Sequence, residues 1–242
     1  MENKKDEKNQ MTYNAFPIAG NKLYFFILRF CIIASSIISC KAAQPPQEQG
    51  NFVPSDLTEI NTLDTSIHLD IRYASTNNFA GKAVYKQARA FLQRPAAEAL
   101  VRVNESLKPL GFGILVFDGY RPWRVTKLFW DITPDSNKRF VADPKKGSRH
   151  NRGAAVDCSL YYLSNGNMVT MPGDYDETSA RSYPTYTGGT DSSRYHRDIL
   201  IQAMQANGFT VYEYEWWHFD YEGWKSWPIL DIPFRKIKTK QN

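Results

Sequence analysis

Two short segments carry the side chains that could perform chemistry. The first, SRHNRGAAVD, places His150 and Asp157 on either side of a glycine turn, and the second, EWWH, places Glu215 three positions before His218. Two imidazoles and one carboxylate form a three-ligand zinc site that leaves the fourth position for water. A second carboxylate beside that water can act as its general base, so the two segments supply the parts of a metal-assisted hydrolase.

Each side chain also has an ordinary structural interpretation. His150 can cap a turn, Asp157 can be a turn carboxylate, and His218 can belong to the surrounding aromatic cluster. The metal interpretation is favoured because these residues occur together: two of the only four histidines fall within these segments, each with a nearby carboxylate. The other two lack an acidic partner at metal-site spacing: His68 is predicted to be structural on an alternating strand, and His196 to lie on a helix surface.

The composition bounds the class of protein. The chain has 242 residues, 42% hydrophobic and 23% charged, which fits one globular domain with a short appendage. The net charge is +5, but the basic residues are scattered, which argues against a nucleic-acid partner. Three cysteines far apart exclude a disulfide scaffold and a four-cysteine zinc site.

The hydrophobic pattern predicts the elements that must position these residues. Strands are predicted over residues 67–73, 113–118, 154–163 and 210–217. Helices are predicted from Arg94 to Leu107, over residues 191–207 with Gly208 at the end, and around residues 124–130. The fold class is therefore α+β, a small and mostly antiparallel sheet with packed helices.

The last of these strands raises a geometric question. Side chains alternate along a strand, so Glu215 and His218 would point to opposite faces of the sheet. Both must reach one metal-bound water if they act together. We therefore expect a bulge, or a departure from strand geometry, between Trp216 and His218.

The first forty residues differ from the rest. A polar, basic leader precedes an apolar run over residues 23–38, which ends in IISC at Cys40 and is followed by a Pro- and Gln-rich stretch. The run has the shape of an export signal and is shorter than the roughly 20 residues that a spanning helix needs. Cys40 resembles the lipidated cysteine of bacterial lipoproteins. An uncleaved membrane anchor and a plain signal peptide are the alternatives.

These features predict three regions: a lipoprotein-type signal peptide over 1–39, lipidated Cys40 with a flexible tether over 40–55, and a catalytic domain over 56–242. The product would be an exported lipoprotein, held on the periplasmic or outer-surface side of a membrane by its N-terminal lipid. Cys158 would then be a lone thiol.

Further motifs extend the two chemical segments into an ordered series. They are DIRY at 70–73, FDGYRP at 117–122 and MPGDYD at 171–176. Together with the patterns S-x-H-x-x-G-x-A-x-D and E-x-W-H, they resemble the D-alanyl-D-alanine dipeptidases, the VanX-like zinc peptidases, over most of residues 56–225. The resemblance implies the fold shared by zinc D,D-peptidases and the Hedgehog signalling domain.

The resemblance also implies roles for single residues. It implies that Glu215 is the catalytic base and that Arg121 steadies the charge developing on the scissile carbonyl oxygen. A salt bridge between Arg121 and Asp118 is the structural alternative. One zinc ion per chain would be held by His150, Asp157 and His218.

The implied substrate is the dipeptide D-alanyl-D-alanine, cleaved to two D-alanines during peptidoglycan turnover or scavenging. Ser148, Asp176 and Tyr73 would line its pocket, with Asp176 facing the free ammonium group. One alternative is a D,D- or L,D-carboxypeptidase or endopeptidase that trims peptidoglycan stem peptides. A non-enzymatic alternative is a binding module that keeps the zinc fold.

Overall fold

Two β-sheets organise residues 43–238, the part of the chain that the computed structural model describes. The strands, in chain order, are β1 (Leu57–Glu59), β2 (His68–Leu69), β3 (Phe91–Gln93), β4 (Phe112–Asp118), β5 (Ala155–Tyr162), β6 (Phe209–Tyr212) and β7 (Glu215–Tyr221). The helices are α1 (Ile60–Leu63), α2 (Arg94–Leu107), α3 (Trp123–Ile132) and α4 (Asp191–Gln205). The predicted signal peptide and Cys40 lie outside the described residues.

The main sheet has five strands in the order β2-β4-β5-β7-β6. Only the pairing of β2 with β4 is parallel, and the other three are antiparallel. A separate antiparallel pair joins β1 to β3. Every residue of β4 is buried, as expected for a central strand covered on both faces. The predicted α+β class, with a small and mostly antiparallel sheet, is confirmed.

The two long helices pack on this sheet through their apolar faces. Pro95 occupies the first turn of α2, where its fixed φ and missing N–H are tolerated. Leu100, Val103 and Leu107 of the same helix are fully buried. The Thr190 hydroxyl caps α4 by accepting a hydrogen bond from the Ser193 N–H. All three predicted helices are confirmed.

Two predicted strands differ from the structure. The first is reduced to two residues, because the chain turns into a 3-10 helix at Arg72–Ala74 and brings the Tyr73 ring inside. The prediction of a single strand over 210–217 is wrong, since Glu213 and Tyr214 form the turn of a hairpin between β6 and β7.

The histidines outside the chemical segments have structural roles. His68 is exposed on β2 and stacks on the Tyr161 ring with 3.8 Å between centroids. The predicted surface position of His196 is wrong. Its imidazole is buried and lies 3.0 Å from the Thr170 carbonyl oxygen through Nδ1, because this face of α4 packs against Phe112.

The segment before β1 has no regular secondary structure, yet it contacts the domain. Glu48, within the predicted tether, forms an ion pair with Arg152 and accepts a hydrogen bond of 2.7 Å from the Ile229 N–H. The Val53 N–H donates to the Ser226 carbonyl at 2.9 Å. Within residues 43–238, no helix is long and apolar enough to cross a membrane.

Candidate metal centre

Three elements bring the predicted metal ligands together. His150 begins a 3-10 turn, His150–Arg152, that leads through Gly153 into β5. Gly153 has φ +67°, a left-handed conformation that glycine adopts without strain. Asp157 lies on β5 directly opposite His218 on β7. The antiparallel register therefore sets two of the three ligands side by side.

The ligand atoms converge on one point. His150 Nε2 lies 3.0 Å from His218 Nδ1. Asp157 Oδ1 lies 3.2 Å from the first of these nitrogens and 3.0 Å from the second. All three side chains are buried, so water does not compensate for their polarity.

Each imidazole forms a hydrogen bond through the nitrogen that faces away from the other ligands. That hydrogen bond fixes the tautomer, so the nitrogen facing the other ligands carries a lone pair. His150 Nδ1 lies 2.8 Å from the Gly119 carbonyl oxygen, to which it must donate its proton. His218 Nε2 lies 3.0 Å from Asp220 Oδ1 and donates there. The two facing nitrogens thus present lone pairs to each other and to a carboxylate. This arrangement fits a bound cation, and two imidazoles with one carboxylate suit zinc.

The electrostatics agree with a bound cation. Burial by itself would raise the pKa of Asp157, but His150 and His218 hold that pKa well below its ordinary range. Burial would likewise lower the pKa of His218, yet Asp157 and Asp220 raise it to about 10 in the metal-free protein. A proton on His218 and a metal ion on Nδ1 are alternative ways to place positive charge among these carboxylates.

Two residues that support the ligands were missed in the sequence. The Tyr175 hydroxyl donates to Asp157 Oδ2 at 2.9 Å and leaves Oδ1 for the metal. Asp220 holds His218, and its signal was available, because residues two apart on a strand share a face. Tyr175 lies on a loop and carries no such signal.

Glu215 reaches the same centre because the pairing of β6 with β7 is irregular. Val211 pairs with Phe219 but Tyr212 pairs with Glu215, so β7 has three extra residues between these pairs. The expected departure from strand geometry is confirmed. Glu215 Oε2 lies 3.8 Å from His218 Nδ1. Burial raises the pKa of the Glu215 carboxyl.

Arg121 forms the salt bridge with Asp118 that was considered as its structural alternative. Its Nε and Nη2 atoms bind Asp118 Oδ2 at 2.9 and 2.8 Å, and Nη2 lies 3.7 Å from Asp157 Oδ2. The guanidinium also interacts with the buried Tyr85 hydroxyl, which itself donates to Asp118 Oδ1 at 2.9 Å. The salt bridge therefore orients the guanidinium, and Arg121 lines a cleft together with His150, Asp157 and His218.

The three predicted pocket residues also lie at this cleft. Tyr73 donates its hydroxyl proton to Asp176, with 3.0 Å to Oδ2 and 3.2 Å to Oδ1. Burial, together with the charge of Asp157, raises the pKa of Asp176 to about 8. Ser148 Oγ accepts a hydrogen bond of 3.2 Å from the His150 N–H, so Ser148 also stabilises the metal-binding turn. The cleft has a volume of about 1170 Å³.

Comparison with known proteins identifies the family. Residues 54–231 match the family model of the M15 peptidases described as D-ala-D-ala dipeptidase. The D-alanyl-D-alanine dipeptidase of Escherichia coli K12 is 30% identical over 180 residues, which are 74% of this chain and 92% of the relative. A protein of the same name from Enterococcus faecium is 33% identical over 65% of this chain and 88% of its own length. YodJ of Bacillus subtilis, named as a candidate carboxypeptidase, is 24% identical over 78% of this chain and 64% of its own length.

The matched range contains the three ligands of the metal centre and Glu215 beside them. Its donor set fits zinc on chemical grounds, and the family match covers the same residues. The chain therefore belongs to the D-ala-D-ala dipeptidase family of M15 peptidases, zinc metallopeptidases, and His150, Asp157 and His218 form its site for one zinc ion.

Proposed function

We propose that this protein hydrolyses the dipeptide D-alanyl-D-alanine to two D-alanines. The observation that carries the proposal is a buried two-histidine, one-aspartate centre with a further carboxylate, Glu215, 3.8 Å from a ligand nitrogen. The relatives named as D-alanyl-D-alanine dipeptidases support the choice of substrate.

Zinc at this site would polarise the scissile carbonyl and acidify the attacking water. Glu215 accepts the proton of that water and then passes it to the departing amine. Its raised pKa suits this work, because a general base is most effective when its pKa approaches the working pH. The carboxylate does not need to move far, since it already lies beside the ligand nitrogen of His218.

Arg121 stabilises the negative charge that develops on the carbonyl oxygen. Its guanidinium is fixed by Asp118 and remains charged at all relevant pH values. The Arg121 side chain lines the cleft that would hold the substrate. A fixed donor of this kind contributes roughly 10²–10³ in turnover at comparable sites.

Asp176 and Tyr73 provide the acidic end of the pocket. An ammonium group beside Asp176 would keep that carboxylate ionised, as the Tyr73 hydroxyl already helps to do. Asp176 would thus recognise the free amino terminus of a dipeptide, which lies one residue from the scissile bond. Ser148 lines the same cleft.

The direct test is release of D-alanine from D-alanyl-D-alanine by the purified chain. We expect cleavage that is lost on treatment with a chelator and restored by stoichiometric zinc. If the zinc-loaded protein leaves the dipeptide intact, the proposed function is wrong.

The size of the cleft favours a second candidate, the trimming of D-amino acids from peptidoglycan stem peptides. Its volume of about 1170 Å³ exceeds the roughly 300–1,000 Å³ of pockets for drug-sized ligands. Asp176→Ala separates the candidates, because a stem peptide has no ammonium group at that position. A dipeptidase loses dipeptide cleavage in this variant, whereas a stem-trimming enzyme retains cleavage of longer peptides.

We also propose that the protein is an exported lipoprotein anchored through Cys40. The support is the apolar run that ends in IISC and the polar stretch after it. A single acyl chain binds membranes only marginally, so stable anchoring needs at least two. Outside the cytoplasm, the enzyme would act on dipeptide released by peptidoglycan turnover.

Cys40→Ser should release the protein into the soluble fraction or stall processing. A variant that stays on the membrane with residues 1–39 removed contradicts the lipid anchor.

A further inference from the structure

Arg149 is a cationic side chain of the cleft that has no part in the mechanism above. Arg149 lies between Ser148 and the first metal ligand, and its side chain is 38% exposed on the cleft wall. Its Nε lies 3.3 Å from Asp220 Oδ2, while the other oxygen of that carboxylate accepts the proton of His218. A single aspartate therefore joins Arg149 to the metal centre.

Aromatic rings hold the guanidinium on its remaining sides. Arg149 Cζ lies 5.1 Å from the centroid of the Trp224 ring and 5.7 Å from that of Tyr212. Both rings line the cleft. The side chain is thus fixed by one ion pair and two cation–π contacts. Its Nη1 and Nη2 atoms make no hydrogen bond to any residue in the described part of the chain.

We infer that Arg149 binds the C-terminal carboxylate of the substrate, an inference that rests on the proposed dipeptidase function. A guanidinium presents two parallel N–H donors that match the two oxygens of a carboxylate. Because Asp220, Tyr212 and Trp224 already fix its position, little conformational entropy is lost when the substrate binds. The cleft then has an acidic side at Asp176 and a basic side at Arg149, which complements a dipeptide zwitterion.

Other cations of the cleft are less suited to this task. Arg139 is exposed and lies 4.7 Å from the neighbouring Phe140 ring. Arg152 is already bound by Glu48 and by the Trp227 carbonyl. Lys146 is also exposed and offers a point charge rather than a planar pair of donors. Among these cations, Arg149 is the one that forms an ion pair with Asp220, the residue that accepts a hydrogen bond from the ligand His218.

The consequence for specificity is a requirement for a free carboxylate on the residue after the scissile bond. The enzyme would release one terminal residue at a time and would discriminate against substrates with a blocked C-terminus. D-alanyl-D-alanine and its C-terminal amide differ in this group alone, so the pair isolates the contact.

The test compares kcat/KM for the dipeptide and the dipeptide amide. We expect the unsubstituted enzyme to prefer the acid, and Arg149→Gln to lower kcat/KM for the acid by about 10- to 100-fold, mainly through KM. Cleavage of the amide should change little. Arg149→Lys should recover part of the preference, because it restores the charge without the planar donors. Arg139→Gln is the matched control and should keep the full preference.

Three outcomes overturn the inference. Equal losses on acid and amide, with weakened zinc binding in a chelator competition, would show that Arg149 only supports Asp220 and His218. Loss of the preference in Arg139→Gln would indicate that Arg139, rather than Arg149, binds the substrate carboxylate. An unchanged preference in Arg149→Gln would remove Arg149 from recognition.

Binding to inactive protein separates this inference from the proposed function. Calorimetry with Glu215→Gln, with and without Arg149→Gln, gives the affinities of acid and amide in the absence of turnover. If the active enzyme fails to cleave the dipeptide while Arg149 still confers preference for the acid, only the proposed function fails. If cleavage occurs but affinity shows no Arg149-dependent preference, only the inference fails.

Discussion

Among single residues, Glu215 offers the clearest separation of catalysis from metal binding. Glu215→Gln keeps the size of the side chain but removes the proton acceptor. We expect turnover of the dipeptide to fall by about 10²–10⁴, the usual contribution of a general base, with zinc content unchanged. Turnover is measured as D-alanine release and zinc as metal per chain.

The control for this variant is Glu213→Gln, an exposed glutamate in the adjoining hairpin turn. It should leave both activity and zinc content intact. Full activity in Glu215→Gln would contradict its role as the base. Loss of zinc would instead make Glu215 a ligand.

We expect Asp176 to lower the free energy of unfolding of the zinc-free protein at neutral pH. It is the one non-glycine residue within 43–238 with positive φ, at 60°, and burial raises its pKa from 3.8 to about 8. As the pH rises above 4, the unfolded chain loses this proton while the folded protein keeps it. The free energy of unfolding therefore falls between about pH 4 and pH 8.

Asp176→Asn removes this penalty, and asparagine tolerates positive φ well. We expect the zinc-free variant to unfold at a higher temperature than the parent at pH 7, with a gap that narrows toward pH 4. Hydrolysis of the dipeptide should fall in the same variant. Thermal unfolding in the presence of a chelator measures the gap, and a gap that does not depend on pH would contradict the explanation.

At the scale of elements, the sequence predicted the strands and helices far better than the links between them. Alternation and apolar runs located β4, β5, α2 and α4, because these elements are long enough to show a period. The β6–β7 hairpin was missed because its turn, Glu213–Tyr214, lacks glycine, proline and asparagine and continues an aromatic run. The hydrogen bond from Tyr175 to Asp157 could not be predicted from the sequence, because the Tyr175 ring is positioned by packing against Phe117 and Trp217.

The turn before β5 depends on Gly153 for two reasons. Its φ is +67°, and a Cβ added there would lie 2.5 Å from Leu57 Cδ2. Gly153→Ala should lower the free energy of unfolding by more than the roughly 1–2 kcal/mol that a left-handed alanine costs, and should weaken zinc binding through His150. Urea unfolding and chelator competition measure the two effects.

Gly166→Ala is the matched control for the cost of placing an alanine in the left-handed backbone conformation. Gly166 has φ +75°, but no atom lies within 4 Å of an added Cβ. This variant should show the conformational cost alone, with zinc affinity unchanged. Equal costs in the two variants would mean that the contact with Leu57 relaxes freely and that the turn does not transmit strain to the metal.

In the whole molecule, both ends of the described chain meet at the metal-binding turn. Arg152, the last residue of the turn, donates to the Trp227 carbonyl and pairs with Glu48. The Leu230 N–H donates to the Asn151 carbonyl at 2.9 Å. The turn that carries His150 is therefore supported by an N-terminal segment and a C-terminal segment that lie outside the main sheet.

This arrangement predicts where the chain can be shortened. A protein that begins at residue 44 keeps Glu48, whereas one that begins at residue 56 leaves the guanidinium of Arg152, only 10% exposed, without its carboxylate. We expect the shorter protein to lose about 1–3 kcal/mol in free energy of unfolding, below the cost of breaking a fully buried pair because Glu48 is partly solvated. Glu48→Ala in the longer protein should reproduce most of this loss in urea unfolding.

Glu59→Ala is the control, because Glu59 forms a similar two-point pair with Arg89 away from the metal. It should also destabilise the fold but leave zinc affinity unchanged, whereas loss of Glu48 should weaken zinc binding through the turn of Arg152 and His150. If proteins that begin at residues 44 and 56 unfold at the same urea concentration and bind zinc equally, residues 48–55 act only as a tether. If Glu48 holds this segment on the domain and Cys40 is lipidated as proposed, the eight residue steps from Cys40 to Glu48, at about 3.3–3.6 Å each, would keep the domain within about 29 Å of the membrane.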